Sequence, residues 1–450
     1  MLDHIEQKIC DIIDSKKDEI IDFGTDIFCH AELGYKEVRT SGKFVEEMKK
    51  LGLDCETGLA ITGVKSYLNE KGTTEGPTLA VIGEMDALPI PNHPNAYNGC
   101  AHSCGHHAQL TGVVGAAMAL TDPEVKAAMG GNICFMAVPA EEFVDIEYKN
   151  QLMKEGKLGY GGGKCELIRI GALDDVDIAL GHHTAVGPDF GVYNNTSNGF
   201  VNKTVTFTGR AAHAAGYPHE GVDALNAATA AMVNIALQQE SFRDEDTVRV
   251  HGFISKGGEA VNIIADEVTM QYSVRAKTPE AYKDASMKVD RSLKAAAMAT
   301  GCGVKIETMA GYMSNVLNPH TEVIQSVLDD IIAEGKYTNQ GDVFSGHSTG
   351  SDDFGDIASL MPLVHFTTGG VSGTIHGPDL MISDPYLAYV ITAKIFALTA
   401  YRLMKNGAAA AKENIADYKA PMTKDEYIKF MDSMQTVEVV EPTPLPIVGK

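Results

Sequence analysis

The chain has 450 residues, 44% of them hydrophobic and 22% charged, which at roughly 150 residues per domain gives two or three globular domains and excludes a disulfide-stapled miniature or a disordered chain. Lys and Arg number 37 against 60 Asp and Glu, a net charge of -23, so a general attraction to nucleic acid or anionic membranes is excluded. Eight cysteines with no framework spacing point to reduced thiols in a cytoplasmic protein.

The opening Met1-Leu2-Asp3-His4-Ile5-Glu6 has no basic segment leading into an apolar one, so no secretory signal is expected. The longest apolar stretches fall short of the roughly 18 residues of a membrane span, so none is expected either. Ile5, Ile9, Ile12 and Ile13 recur at helical spacing and predict an amphipathic helix, with a second predicted over 41–51. The apolar run that starts at Thr78 ends in acids at Glu84-Met85-Asp86 and then Pro89. It reads as a buried strand whose carboxyl end is polar, the end where open α/β sheets carry their chemistry. Leu110, Val113, Val114, Ala117 and Leu120 mark one face of a helix beginning near His106, and 133–138 is a second buried strand running into Pro139-Ala140-Glu141-Glu142. Residues 148–171, richer in Gly and Lys, read as an inserted loop or helical excursion. A further strand over 176–180 runs into Gly181-His182-His183.

From about Asn195 the pattern changes. Residues 201–208 alternate, a helix covers 220–239, strands follow at 248–254 and 262–276, a helix spans 278–300, and 304–308 is extended. Signals of the earlier type resume near Gly311, so this smaller α+β domain is predicted to be inserted into the first. The last helix starts at Asp384-Pro385, a cap followed by a first-turn proline, and turns Leu387, Val390, Ile391, Ile395 and Leu398 inward. The Ala-rich patch beyond Asn406 and the segment from Pro442 to Pro446 read as a peripheral tail. The predicted fold class is α/β: a mixed sheet flanked by helices over 1–193 and 310–450, with the smaller domain over 194–309.

Four segments at predicted strand ends or loops carry metal-ligand chemistry: Cys104-Gly105-His106-His107, Glu141-Glu142, Gly181-His182-His183, and Thr374-Ile375-His376-Gly377. Alone, each is most often a set of hydrogen-bonded structural groups. Together they supply thiolate, imidazole and carboxylate, the donors that suit zinc, manganese or cobalt, and all four could converge on one sheet edge.

These residues fall within a longer series of motifs: His30-Ala-Glu-Leu-Gly34, Met85-Asp-Ala-Leu-Pro89, Cys104-Gly-His106, Pro139-Ala-Glu-Glu142, Gly209-Arg-Ala-Ala-His213 and His376-Gly-Pro378. In order and spacing the series resembles the dinuclear metallo-aminoacylase and carboxypeptidase superfamily, specifically its amidohydrolase branch of hippurate, auxin-conjugate and p-aminobenzoyl-glutamate hydrolases. The resemblance extends to about Leu403. It implies a zinc-peptidase-like catalytic domain and a lid or dimerisation domain, two divalent metal ions (Zn, Mn or Co), and a homodimer acting on a small acyl-amino acid or dipeptide. It also implies Cys104, His106, Glu142, His183 and His376 as metal ligands, with Cys104 a bridge, and Glu141 as general base. Asp86 would orient a ligand histidine, His213 would hydrogen-bond the oxyanion in a partner subunit's site, and Asn262 and Arg275 would bind a substrate carboxylate.

The chain departs from that pattern in places. His107 and Gln109 stand where many relatives have Asp and a second His, so any helper role there is lost or altered. Ser351-Asp352-Asp353-Phe354-Gly355-Asp356 leans toward the p-aminobenzoyl-glutamate hydrolase version. The predicted activity is metal-dependent hydrolysis of the amide of an N-acyl or N-aroyl amino acid. The alternatives are a dipeptidase or carboxypeptidase of the same superfamily, a non-catalytic acyl-amino-acid-binding homologue, and a thiol hydrolase with Cys104 as nucleophile beside His106.

Overall fold

Buried apolar runs at 78–84, 132–138 and 178–184 form adjacent parallel strands in the computed structural model, which describes residues 2–341 and 346–443. In chain order the principal strands are β1 (Cys55–Leu59), β2 (Gly63–Tyr67), β3 (Thr78–Glu84), β4 (Asn132–Val138), β5 (Ile178–Thr184), β6 (Phe190–Val192), β7 (Gly199–Thr208), β8 (Arg249–Lys256), β9 (Glu267–Ala276), β10 (Gly303–Ala310), β11 (Leu363–Thr368) and β12 (Thr436–Val440).

The described residues divide into two units. The larger takes them from 1–195, 316–347 and 356–423, the smaller from 196–315, 348–355 and 424–450. The larger unit is built on a seven-stranded sheet of order β1-β2-β4-β3-β5-β11-β6. Its four central strands are parallel and its flanking strands antiparallel. Leu79 of β3 lies opposite Ile133 of β4 and Ile178 of β5, so the three strands end almost level. Both faces of these strands are covered, which is why they read as continuous apolar runs without alternation.

Helix α1 (His4–Ser15) carries the predicted isoleucines and opens on a capping box from Asp3 and Glu6. It is followed by α2 (Lys17–Phe28), which the sequence reading lacks, burying Ile20, Phe23, Ile27 and Phe28 on one face. Helix α3 (Val38–Lys50) matches its expectation. The helix α4 (His106–Leu120) is buried on every side except at Met118, a wider contact than the single predicted face. The cause is close packing: a Cβ at Gly83 would stand 2.8 Å from the Leu110 Cα, and one at Gly115 would stand 2.6 Å from the Ala393 Cβ. Residues 148–171 hold most of one short helix, Ile146–Lys154, and a second, Gly163–Arg169, whose Lys164 is fully buried.

At the last helix, Asp384 Oδ1 accepts the Tyr386 and Leu387 amides, as its capping role requires. This helix is long and apolar enough to cross a membrane by composition, but 94% of its apolar window is buried in the fold, as a core helix is. The Ala-rich patch is not peripheral: beyond a break at Lys405–Ala408 the helix continues to Asp417, burying Ala408, Ala411 and Asn414. Of the segment from Pro442 to Pro446, residues 444–446 lie outside the described residues.

The smaller unit is an antiparallel sheet of order β12-β10-β7-β9-β8, with helices Ala224–Ala236 and Pro279–Thr300 packed on it. Strand β9 alternates buried and half-exposed residues, the signature of a one-sided sheet. Two expectations need correction. Strand β9 begins at Glu267, so Asn262 lies ahead of it, in a connection that touches the chain at His213. Residues 310–315, 348–355 and those from 424 onward, all expected in the larger domain, group with the smaller unit, and the last of these supply β12, which pairs with β10 and covers an edge that would otherwise present a row of open backbone groups.

Ending the chain after Gln435 uncovers β10 and removes the Lys294–Glu438 ion pair while keeping the helix Lys424–Ser433 with its buried Tyr427 and Met431. The expected result is a thermal midpoint lower by several degrees, at ~2–4 °C per kcal/mol, together with self-association on size-exclusion chromatography. An unchanged midpoint and elution volume would show that β12 contributes nothing.

Candidate metal centre

Three level parallel strands deliver their polar ends side by side: Glu84 and Asp86 from β3, Glu141 and Glu142 from β4, His182 and His183 from β5. Cys104 and His106 come from the turn into α4. Gly105 has φ +91°, and a Cβ on it would stand 2.1 Å from the Thr184 Oγ1, so only glycine lets the turn lie against β5.

Asp86 holds His106 from behind. Nδ1 lies 3.0 Å from both the Asp86 Oδ1 and the Asp86 carbonyl, which places the proton on Nδ1 and leaves Nε2 as a donor atom. Nε2 is buried without a hydrogen-bond partner, 3.2 Å from the Glu84 Oε2 and 3.7 Å from the Glu141 Oε2. Glu84, His106 and Glu141 offer donor atoms that all lie within 4.8 Å of one another. A second group of the same compactness is Cys104, Glu142 and His376. Here Glu142 Oε1, also buried without a hydrogen bond, lies 3.2 Å from His376 Nε2. His183 joins this group, its Nε2 3.5 Å from the Cys104 Sγ, while its Nδ1 donates to the Thr184 carbonyl at 2.7 Å. All five ligands expected from the resemblance therefore lie at this sheet edge. His182 has a different job: it lies 2.6 Å from the Thr368 Oγ1 and packs between Phe366 and Phe396.

The donors fit divalent cations. Burial and the nearby Glu142 carboxylate push the Cys104 thiol well above its usual range, whereas a bound cation deprotonates a coordinating thiol outright. Burial alone would lower His106, but Glu84, Cys104 and Asp86 outweigh it and hold the imidazole well above its ordinary value. Orphaned Nε2 and Oε1 atoms facing crowded acids are what a cation would satisfy.

The two glutamates diverge because of the backbone before them. Ala140 is in the left-handed region at φ +53°, and its strained turn is held from three sides. Glu37 Oε1 accepts the Ala140 amide at 2.8 Å, Asp86 Oδ2 accepts the Glu142 amide at 2.8 Å, and Lys149 Nζ donates to the Glu142 carbonyl at 2.8 Å. The His30-Ala-Glu-Leu-Gly34 stretch gains a structural reason. The Glu32 carbonyl accepts the Ala87 amide at 2.8 Å, and a Cβ on Gly34 would meet the Ala140 Cβ at 2.8 Å.

Glu37, Glu84, Gln109 and Lys164 are absent from the sequence-based site. Gln109, one of the departures, donates to the Glu84 Oε2 at 2.7 Å, and buried Lys164 forms an ion pair with the same carboxylate. His107, the other departure, is buried against Phe28, His102 and Tyr389. The only sequence signal for Glu84 is its place in the acidic strand end beside Asp86.

Three expected residues belong to the smaller unit. His213 is exposed, and its Nδ1 accepts the Ala215 and Gly216 amides at 3.2 and 3.0 Å, so its proton sits on Nε2. Asn262 is exposed, and its carbonyl accepts the Ala214 amide at 3.0 Å. Arg275 lies over the Phe200 ring and donates to Ser273 and Ser351.

A family model described as "Peptidase dimerisation domain" matches residues 195–300. The chain is 31% identical over 341 residues to the Xaa-Arg dipeptidase of Homo sapiens, covering 72% of this chain and 68% of that protein. The chain belongs to the M20 metallopeptidase family. An IAA-amino acid hydrolase of Arabidopsis thaliana is 25% identical, with 86% of each chain covered. A Bacillus subtilis structure described as a dinuclear metal-binding peptidase of the M20 family shares the fold at a TM-score of 0.62 and 22% identity, covering 87% of this chain and 99% of that one. This M20 chain is thus a metal-dependent hydrolase of the amidohydrolase and peptidase type.

Burial, and after it the Asp86 carboxylate, raises the Glu37 carboxyl from 4.5 to about 8. A group raised in the fold contributes stability that is complete below its unfolded value and is lost as pH rises through its folded value. The thermal midpoint of the wild type, relative to Glu37→Gln, is therefore expected to fall between about pH 4.5 and about pH 8. A flat difference curve would remove the buried acid from this account.

Proposed function

We propose that this M20 hydrolase cleaves the amide of an N-acyl or N-aroyl amino acid, with Glu141 as general base. The observation that carries the reading is the division of adjacent glutamates between two donor groups: Glu142 with Cys104 and His376, Glu141 with His106. Cys104, His106, Glu142, His183 and His376 would hold two divalent ions, which lower the pKa of a shared water and polarise the amide carbonyl.

The chain's own groups do the rest. Glu141 takes the water proton on its carboxylate and passes it to the leaving amine nitrogen. Asp86 keeps the His106 proton on Nδ1. His213, with its proton on Nε2, would donate to the negative charge developing on the amide oxygen of a second copy's substrate in a homodimer, supported by the match over 195–300. Arg275 and Asn262 would fix the substrate carboxylate. The eight free cysteines support a reducing, cytoplasmic setting.

A second reading, dipeptide hydrolysis, is favoured by the identity to the human Xaa-Arg dipeptidase. The net charge of -23 would draw in a cationic dipeptide and repel an acyl-amino acid that carries only a carboxylate. A hydrolysis screen of N-acetyl, N-benzoyl, indoleacetyl and p-aminobenzoyl amino acids beside neutral and basic dipeptides, with zinc, manganese or cobalt added, separates the two.

Glu141→Gln is expected to lower kcat by about 10²–10⁴-fold while the protein retains its metal. A metal-replete variant with full activity would remove the base. Arg275→Met is expected to raise KM by about 10- to 100-fold on carboxylate substrates and to leave their amidated analogues unaffected, as a charge-assisted hydrogen bond worth ~1.5–3 kcal/mol requires. An equal loss on both would deny Arg275 that contact.

A further inference from the structure

We infer that Glu84 is itself a metal-holding residue, joining His106 at the second of the two cation positions, with the base Glu141 beside them. This rests on the two-metal reading above and adds a ligand to it. The Glu84 Oε2 stands 3.2 Å from His106 Nε2, and the Glu141 Oε2 stands 3.7 Å from the same atom. Donors sharing one tetrahedral ion at about 2.0–2.2 Å are about 3.3–3.6 Å apart, so the Glu84 and His106 atoms stand close to the spacing of two ligands on one ion.

The independent sign is the histidine. His106 Nε2 is buried, lacks a hydrogen bond, and aims into this group. Glu84 is not needed to orient the ring, because Asp86 already fixes it through Nδ1. A carboxylate on the Nε2 side lies where the ion must lie.

The surroundings of Glu84 agree. Lys164 pairs with Oε1 and Gln109 donates to Oε2 at 2.7 Å, so the carboxylate is pinned with its remaining Oε2 lone pair toward His106. Glu84, Lys164 and Gln109 are all at most 1% exposed. A buried ammonium offsets the carboxylate charge when no ion is bound, without occupying the oxygen that faces the histidine.

The test is zinc titration of the chelator-stripped, full-length protein by calorimetry with metal analysis, in wild type and two variants. Glu84→Asp keeps the charge for Lys164 but withdraws the carboxylate by one methylene. Glu84→Gln combined with Lys164→Met removes both charges, so no buried charge is stranded if the first variant folds poorly. Both variants are expected to bind one equivalent of zinc at wild-type affinity and the second more weakly by over 100-fold, beyond the roughly 10- to 100-fold loss seen for residues that touch only a ligand. In cobalt-loaded protein the thiolate-to-metal absorption, which reports Cys104, is expected to persist in both. Tight binding of two equivalents by either variant, or a smaller loss at the second site, overturns the assignment, as does disappearance of the thiolate band. A wild-type protein that binds fewer than two equivalents sinks the two-metal reading as well, whereas two in the wild type and two in the variants sinks Glu84 alone.

Discussion

The parallel register of β4, β3 and β5 is the constraint on which the site depends. Parallel strands in register end on the same side, and these three end on Glu141-Glu142, Glu84 and Asp86, and His183. An antiparallel neighbour in the middle would have sent one of those ends to the opposite edge. The price of such a sheet is burial on both faces, met here by a helix, α4, that is apolar nearly all round. That helix begins at His106, so the packing that covers the sheet also fixes two donors, Cys104 and His106, over its edge.

Crowding acids at one dry edge creates the second demand. Glu37, Glu84, Asp86, Glu141 and Glu142 are all buried, and unpaired buried charges are costly by several kcal/mol each. The structure answers with Lys164 on Glu84, His106 on Asp86, backbone amides on Glu37 and Asp86, and partial neutralisation of Glu37 by its raised pKa. Glu142 Oε1 and His106 Nε2 are left without hydrogen bonds, one in each donor group. The folded chain thus carries a deficit of positive charge at two adjacent points, and divalent cations are the species that supply it.

Much of this was legible in the sequence because strand ends, turn residues and ligand chemistry are local. Residue type flags the segments that hold Cys104, His106, Glu142, His183 and His376, the family resemblance picks these five out of them, and each lies at the sheet edge. What was hidden depends on distance in space. Glu37 matters through the Ala140 amide and Lys164 through Glu84, contacts 103 and 80 residues away in sequence. Glu84 looked like the polar end of a strand because nothing local shows that His106 faces it. The tail was misplaced for a similar reason: Thr436–Val440 is short and half-polar, and only the open edge of β10 makes it a strand. Helix α2 follows α1 with one residue between them, and the sequence reading has no element there.

The same carboxylates decide between the two chemistries open to Cys104. A nucleophilic cysteine needs its thiolate at neutral pH, and active sites obtain it from neighbouring positive charge or a helix N-terminus. Cys104 does precede the N-terminus of α4, and His183 lies within reach of its sulfur. Against these stand burial and the charges of Glu142 and Glu141, which together push the thiol well above its usual range. The surroundings therefore oppose a free thiolate and favour a cation-bound one: the acids that would disable a thiol nucleophile are the ones that, with Cys104, make a binding place for a divalent ion.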